Sequence, residues 1–121
     1  MSSLPSVFLS HGSPMHALEA GAAGKAWAAL GRRLGKPRAL VIASAHWETG
    51  LPQLTGNAKP ETTHDFYNFP EPLYRIRYPV AGSPDAAHRV QALLKESGFT
   101  PAIDGCRGLD HGAWAPLLYM Y

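Results

Sequence analysis

The stretch Val7–Met15, VFLSHGSPM, sets the expected fold of this 121-residue chain. Its first four residues, VFLS, are apolar or small and suit a buried strand, and the turn-forming residues GSP stop that strand. His11 lies between these two groups of residues, so the strand is expected to place it at the edge of a sheet. We therefore expect a functional group at the carboxyl end of the strand Val7–Ser10.

A second apolar run, Ala39–Ala45, is also followed directly by a histidine, His46. His11 and His46 lie 35 positions apart, about the length of a strand–helix–strand unit with parallel strands. The carboxyl ends of parallel strands meet at one edge of a sheet, where ligands and catalytic groups gather. Because imidazole suits divalent transition metals, the two histidines are predicted to share one metal ion.

Helical periodicity indicates three helices. The first helix ends at Gly35. The second begins with Ser83 as its N-cap and ends at Gly98. The third, Ala113–Tyr121, is apolar enough to be buried. The apolar stripes comprise Ala23, Trp27, Leu30 and Leu34 in the first helix and Ala86, Val90, Leu93 and Leu94 in the second. A short strand is also expected at Leu51–Thr55. The prediction is an α/β fold with a mainly parallel sheet flanked by helices.

Composition excludes several classes of protein. The length suits one domain, and a formal net charge of +2 is far from that of a strongly basic nucleic-acid binder. The single cysteine, Cys106, cannot form an internal disulfide, which favours a reducing, cytoplasmic location. The sequence shows neither a signal peptide nor a membrane span, so no membrane partner is expected.

A third histidine, His111, lies between Asp110 and Gly112, in a segment that suits a turn or a helix start. A single histidine is commonly a hydrogen-bonded structural residue, but three in matched settings point to a site. His16 has no strand end to direct it and is a secondary candidate. His88 falls off the apolar stripe of its helix and is expected on the surface.

The loop before the second helix is crowded with aromatic side chains, including Phe66, Tyr67 and Phe69. Binding pockets for aromatic substrates are apolar with a few placed polar groups, so these residues could form a pocket wall. The alternative is a loop that these side chains anchor on the core. Both interpretations remain open from the sequence.

Four motifs together resemble the extradiol aromatic-ring-opening dioxygenases of the DOPA 4,5-dioxygenase type, the LigB-like superfamily. The motifs are FLSHGSPM, VIASAHWET, THDFYNFPEPLYRIRYPVAGSP and GLDHGAWAPLLYMY, in the family's order over nearly the whole chain. The resemblance implies that His11 and His46 are metal ligands and that His111 is a catalytic acid–base or substrate-orienting residue. It also implies non-haem Fe(II) as cofactor, with zinc in some members, and a catechol such as DOPA together with O2 as substrates.

The resemblance further implies that residues 1–121 are the N-terminal portion of a larger catalytic domain, because family members continue well beyond this length. In the family the remaining metal ligands and a second pocket histidine come from the later part. Within this sequence the substitutes for a third ligand are Glu48, His64, Asp65 and Asp110, and none follows a strand as the two histidines do. The fragment is therefore expected to be inactive in ring opening and to self-associate through exposed apolar surface.

Two other functions remain open from the residues alone. A pair of histidines at strand ends can bind zinc and activate water for hydrolysis. The chain could also be a metal-binding module without catalysis. Consumption of oxygen in the presence of a catechol separates the dioxygenase from both alternatives.

Overall fold

The computed structural model describes residues 3–121, which form an α/β fold with a small parallel sheet flanked by helices. The helices are α1 (Gly21–Leu34), α2 (Glu71–Tyr74), α3 (Pro84–Glu96) and α4 (His111–Met120), and a 3-10 turn spans Pro14–Ala17. The strands are β1 (Gln53–Thr55) and β2 (Ala102–Asp104), paired in parallel with Leu54 opposite Ile103. The predicted fold class is confirmed. No helix within residues 3–121 is long and apolar enough to cross a membrane.

The two amphipathic helices end where the sequence predicts, and the second also begins where predicted. Helix α1 ends at Gly35, whose φ of 71° belongs to the left-handed region that favours glycine. Helix α3 begins after Ser83, whose side chain accepts a hydrogen bond from the backbone N–H of Ala86, and it stops before Gly98. Local capping chemistry thus explains the end of α1 and the start of α3.

Helix α4 is buried over most of its length, as its apolar sequence predicts. It begins at His111, two residues earlier than expected. Its buried residues include Trp114, which has no exposed surface and whose indole N–H donates to the carbonyl of Thr63 at 2.8 Å. Phe66 and Leu73 pack against Trp114 in the same core cluster. The core therefore fixes the start of α4 against the aromatic loop.

The strands predicted at Val7–Ser10 and Ala39–Ala45 are wrong, because neither run is a strand in the described part of the chain. Residues 3–12 and 36–43 form no backbone-to-backbone hydrogen bond there. Val41, for example, is 68% exposed. A strand requires a neighbour to complete its hydrogen-bond ladder, and an apolar run without one remains irregular.

The observed sheet lies elsewhere in the sequence. Only the last three residues of the predicted strand Leu51–Thr55 are strand, and they pair with β2, which was not predicted. β2 has three residues, too few for a visible alternation of apolar and polar side chains. The short helix α2 was also missed, since it has only four residues.

Candidate metal centre

His11, His46 and His111 converge, although the two strands expected to position the first pair are absent from the described residues. The Nε2 atoms of His11 and His46 lie 3.0 Å apart. One potential ligand atom from each of the three rings lies within 4.8 Å of the others. The ring centroid of His111 is 4.1 Å from that of His46 and 5.3 Å from that of His11.

His11 is positioned through its neighbours in the chain. The indole N–H of Trp27 in α1 donates to the carbonyl of Ser10 at 3.2 Å, which ties this segment to the helix. Gly12 then turns the chain with a φ of 65°. A Cβ on Gly12 would lie 2.7 Å from the ring of His16, so both backbone conformation and space require glycine after His11.

His46 is positioned by a hydrogen-bond network that reaches the start of α4. The hydroxyl of Ser44 donates to Asp110 at 2.6 Å and accepts from the backbone N–H of His46 at 3.2 Å. Arg107 donates to the other oxygen of Asp110 at 3.0 Å, and its guanidinium lies over the ring of Trp47 at 4.9 Å. The network therefore links both flanks of His46 to the residue before His111.

His111 is the first residue of α4 and is 5% exposed. Its backbone N–H donates to the carboxylate of Asp65 at 2.9 Å, and its Nδ1 lies 2.9 Å from the same oxygen. Burial alone would raise the pKa of Asp65, but the hydrogen bond from this N–H and the nearby ring outweigh it. The pKa of Asp65 consequently lies below its ordinary value of 3.8.

The donor set fits a divalent transition metal. Two imidazole nitrogens 3.0 Å apart can each lie about 2.1 Å from one cation, a usual metal–nitrogen bond length. Without a cation, one of these rings must donate its N–H to the other. Nδ1 of His11 is buried and has no hydrogen-bond partner among residues 3–121.

The four sequence candidates for a third ligand lie outside this cluster. Glu48 is exposed, and Nε2 of His64 is 2.9 Å from the carbonyl oxygen of Ile76. The carboxylate of Asp110 is occupied by Ser44 and Arg107, whereas that of Asp65 contacts His111 instead of joining the cluster.

The remaining histidines have structural or surface positions. The ring nitrogen Nδ1 of His16 accepts from the backbone N–H of Ser13, and the ring packs edge-on against Trp27. His88 is exposed, as its position off the helix stripe predicts.

The aromatic loop is only partly adjacent to the histidines. The ring of Phe66 lies 5.5 Å from that of His111 and also belongs to the buried core. Phe69 packs edge-on against Phe66 at 5.4 Å, while Tyr67 is 82% exposed. Phe66 thus serves the core and borders the cluster, whereas Tyr67 does neither.

Sequence reasoning missed the groups that hold the histidines in place. Ser44 bonds Asp110 across 66 positions, and a serine within an apolar run gives no indication of such a partner. Gly112 was also missed, although a Cβ there would lie 3.0 Å from the ring of His46. The sequence GLDHG does indicate the start of a helix. It does not indicate that the segment with Ser44 and His46 packs against this start.

Comparisons with known proteins identify the family to which the chain belongs. The family described as "Catalytic LigB subunit of aromatic ring-opening dioxygenase" matches residues 5–121. The chain is 43% identical over 118 residues to "4,5-DOPA dioxygenase extradiol" of Beta vulgaris, an alignment covering 94% of this chain and 44% of the relative. It is 42% identical over 118 residues to the protein of the same name from Escherichia coli (strain K12), covering 98% and 43%.

A third relative with this name, from Mirabilis jalapa, is 49% identical over 86 residues, covering 71% of this chain and 32% of the relative. The chain thus spans less than half the length of these relatives. The family match nevertheless extends over nearly all of its residues, including the three histidines. The chain belongs to the family of the catalytic LigB subunit of aromatic ring-opening dioxygenases.

Proposed function

We propose that residues 1–121 form the N-terminal portion of the catalytic domain of an extradiol dioxygenase that opens a catechol-type ring with O2. The observation that supports this most is the approach of His11 and His46, whose Nε2 atoms lie 3.0 Å apart. Family membership supplies the reaction class, since the aligned relatives are named DOPA dioxygenases. We propose a DOPA-like diol as the substrate and cytoplasm as the location.

In this proposal His11 and His46 hold one non-haem Fe(II) ion, with zinc as the second candidate. Neutral imidazole suits both metals and leaves further coordination positions open. When bound, the ion supplies a place where a diol and O2 can meet. The protein's own part is to present two ring nitrogens on the same side, which Trp27 and Ser44 achieve by fixing the segments before each histidine.

His111 acts as the acid–base residue. Imidazole exchanges protons near neutral pH, so its ring can take a proton from a diol hydroxyl and return it after cleavage. The centroid of the His111 ring lies 4.1 Å from that of His46, close enough for one small substrate to reach both. Phe66 borders His111 and offers an apolar face against which an aromatic ring can pack.

Metal content tests the ligand assignment directly. His11→Ala and His46→Ala should each lower the metal bound per chain after reconstitution with Fe(II), because solvent cannot replace one of few protein ligands without loss of affinity. His88→Ala is the matched control, since His88 is exposed and lies outside the cluster. Unchanged stoichiometry in both site variants would overturn the assignment.

Turnover tests His111 in a full-length protein that contains these residues. His111→Ala should slow DOPA-dependent oxygen uptake by about 10²- to 10⁴-fold while metal content stays near that of the parent. If metal is lost along with turnover, His111 is a third ligand. Hydrolysis without oxygen uptake would favour the zinc alternative, and bound metal without either reaction would indicate a binding module.

A further inference from the structure

Asp65 provides the capping carboxylate at the start of α4, a role that the N-cap residue Asp110 does not fill. Asp110 precedes α4, but its side chain makes no capping hydrogen bond because it is bound to Ser44 and Arg107. The carboxylate at the helix start comes instead from Asp65, 46 positions earlier, which accepts from the backbone N–H of His111. This oxygen also lies 2.9 Å from Nδ1 of His111.

We propose that Asp65 is a positioning residue that fixes the orientation and the tautomer of His111. The inference deepens the proposed function and rests on it for the acid–base role of His111. A carboxylate beside Nδ1 favours the proton on that nitrogen. Nε2 is then unprotonated and is the atom that can accept a proton from a substrate.

Asp65 is itself held firmly on both sides. Before it, the carbonyl of Thr63 accepts from the indole of Trp114, and the backbone N–H of Thr63 donates to Leu109. After it, Phe66 is buried in the core. The carboxylate, whose side chain is 24% exposed, is therefore presented from a fixed loop and not from a mobile surface arm.

The contact with the ring is close but not yet aligned. Nδ1 of His111 lies within ion-pair distance of Asp65, yet the ring N–H does not point along a hydrogen bond. Such misalignment is common before substrate binds, and we expect a rotation of the ring to bring the N–H onto the oxygen. The backbone hydrogen bond is already formed, so the carboxylate is in place for this rotation.

A nuclear magnetic resonance measurement tests the proposal without any activity. Long-range ¹H–¹⁵N correlation spectra of the labelled 121-residue protein, free of metal, should show His111 with its proton on Nδ1. In Asp65→Asn the amide oxygen can still cap α4, but the charge is gone, so the Nε2–H tautomer should gain population. Asp85→Asn is the matched control, because Asp85 is an exposed carboxylate in the first turn of α3.

An Nε2–H tautomer of His111 in the parent protein would overturn the proposal, even if the Asp65 variants failed to fold. An unchanged tautomer in Asp65→Asn, with only reduced stability in Asp65→Ala, would reduce Asp65 to a helix cap. In the full-length protein, Asp65→Asn should lower kcat by about 10- to 100-fold with unchanged KM and metal content. A tautomer shift in Asp65→Asn, combined with no catalysis in the unmodified full-length protein, would leave the role of Asp65 supported and the proposed function refuted.

Discussion

The close approach of His46 to α4 depends on the absence of a side chain at Gly112, which makes Gly112→Ala a sensitive perturbation. A Cβ at this position would lie 2.7 Å from the hydroxyl of Ser44 and 3.0 Å from Cδ2 of His46. Ordinary contacts begin at 3.4 Å, so the ring of His46 must retreat by the difference between 3.4 and 3.0 Å, 0.4 Å. This movement is larger than the tolerance of about 0.2 Å on metal–ligand distances.

Two opposing effects limit the change in stability of the variant. Replacing glycine by alanine within a helix gains about 1 kcal/mol of helix propensity. Overpacking of a tight contact costs about 1–3 kcal/mol. The net loss in the free energy of unfolding should therefore be at most about 2 kcal/mol. Metal affinity should fall more clearly, by about 10- to 100-fold, as is usual when a residue that orients a ligand is disturbed.

The assay is titration with Co(II), followed by its visible absorption, alongside thermal unfolding of the same samples. Gly50→Ala is the control, since a Cβ there meets nothing within 4 Å and its φ is not positive. We expect weaker Co(II) binding only in Gly112→Ala. Binding as tight as in the parent would refute the reasoning that the position of His46 is set by its contact with α4.

Two further predictions concern stability and association. Because the pKa of Asp65 in the folded protein lies below 3.8, its ionised form adds stability above that pH, and this contribution is lost as the pH falls below 3.8. The stabilities of the parent and of Asp65→Asn, measured by acid unfolding, should therefore converge at low pH. A constant difference in stability at every pH would contradict this prediction. Because Leu40, Val41 and Ile42 are exposed together, the 121-residue chain should exceed its monomer mass of 13.1 kDa in light scattering, and Val41→Lys should reduce the excess. A parent protein that scatters as a monomer would exclude self-association.

Much of the local structure could be predicted because its causes are local. Ser83 starts α3 and Gly35 ends α1 through bonds and backbone angles within a few residues of each position. The pairing of β1 with β2 could not be predicted, since it joins two three-residue segments whose paired residues, such as Gln53 and Ala102, lie far apart in the sequence. Asp65 was considered as a metal ligand, whereas its carboxylate accepts a hydrogen bond from the backbone of His111, 46 positions later.

The convergence of His11 and His46 was predicted from two strands that the described residues do not contain. Other interactions must therefore position the two histidines. Each apolar run is fixed at its carboxyl end by a side-chain hydrogen bond, from Trp27 to Ser10 and from Ser44 to Asp110. These bonds connect the segment before His11 to α1 and the segment before His46 to the start of α4. The two helices pack closely on each other, because a Cβ on Gly31 of α1 would lie 2.4 Å from the carbonyl oxygen of Met120 of α4. The geometry of the site is therefore a property of the α1–α4 pair, and it does not require a completed hydrogen-bond ladder along either run.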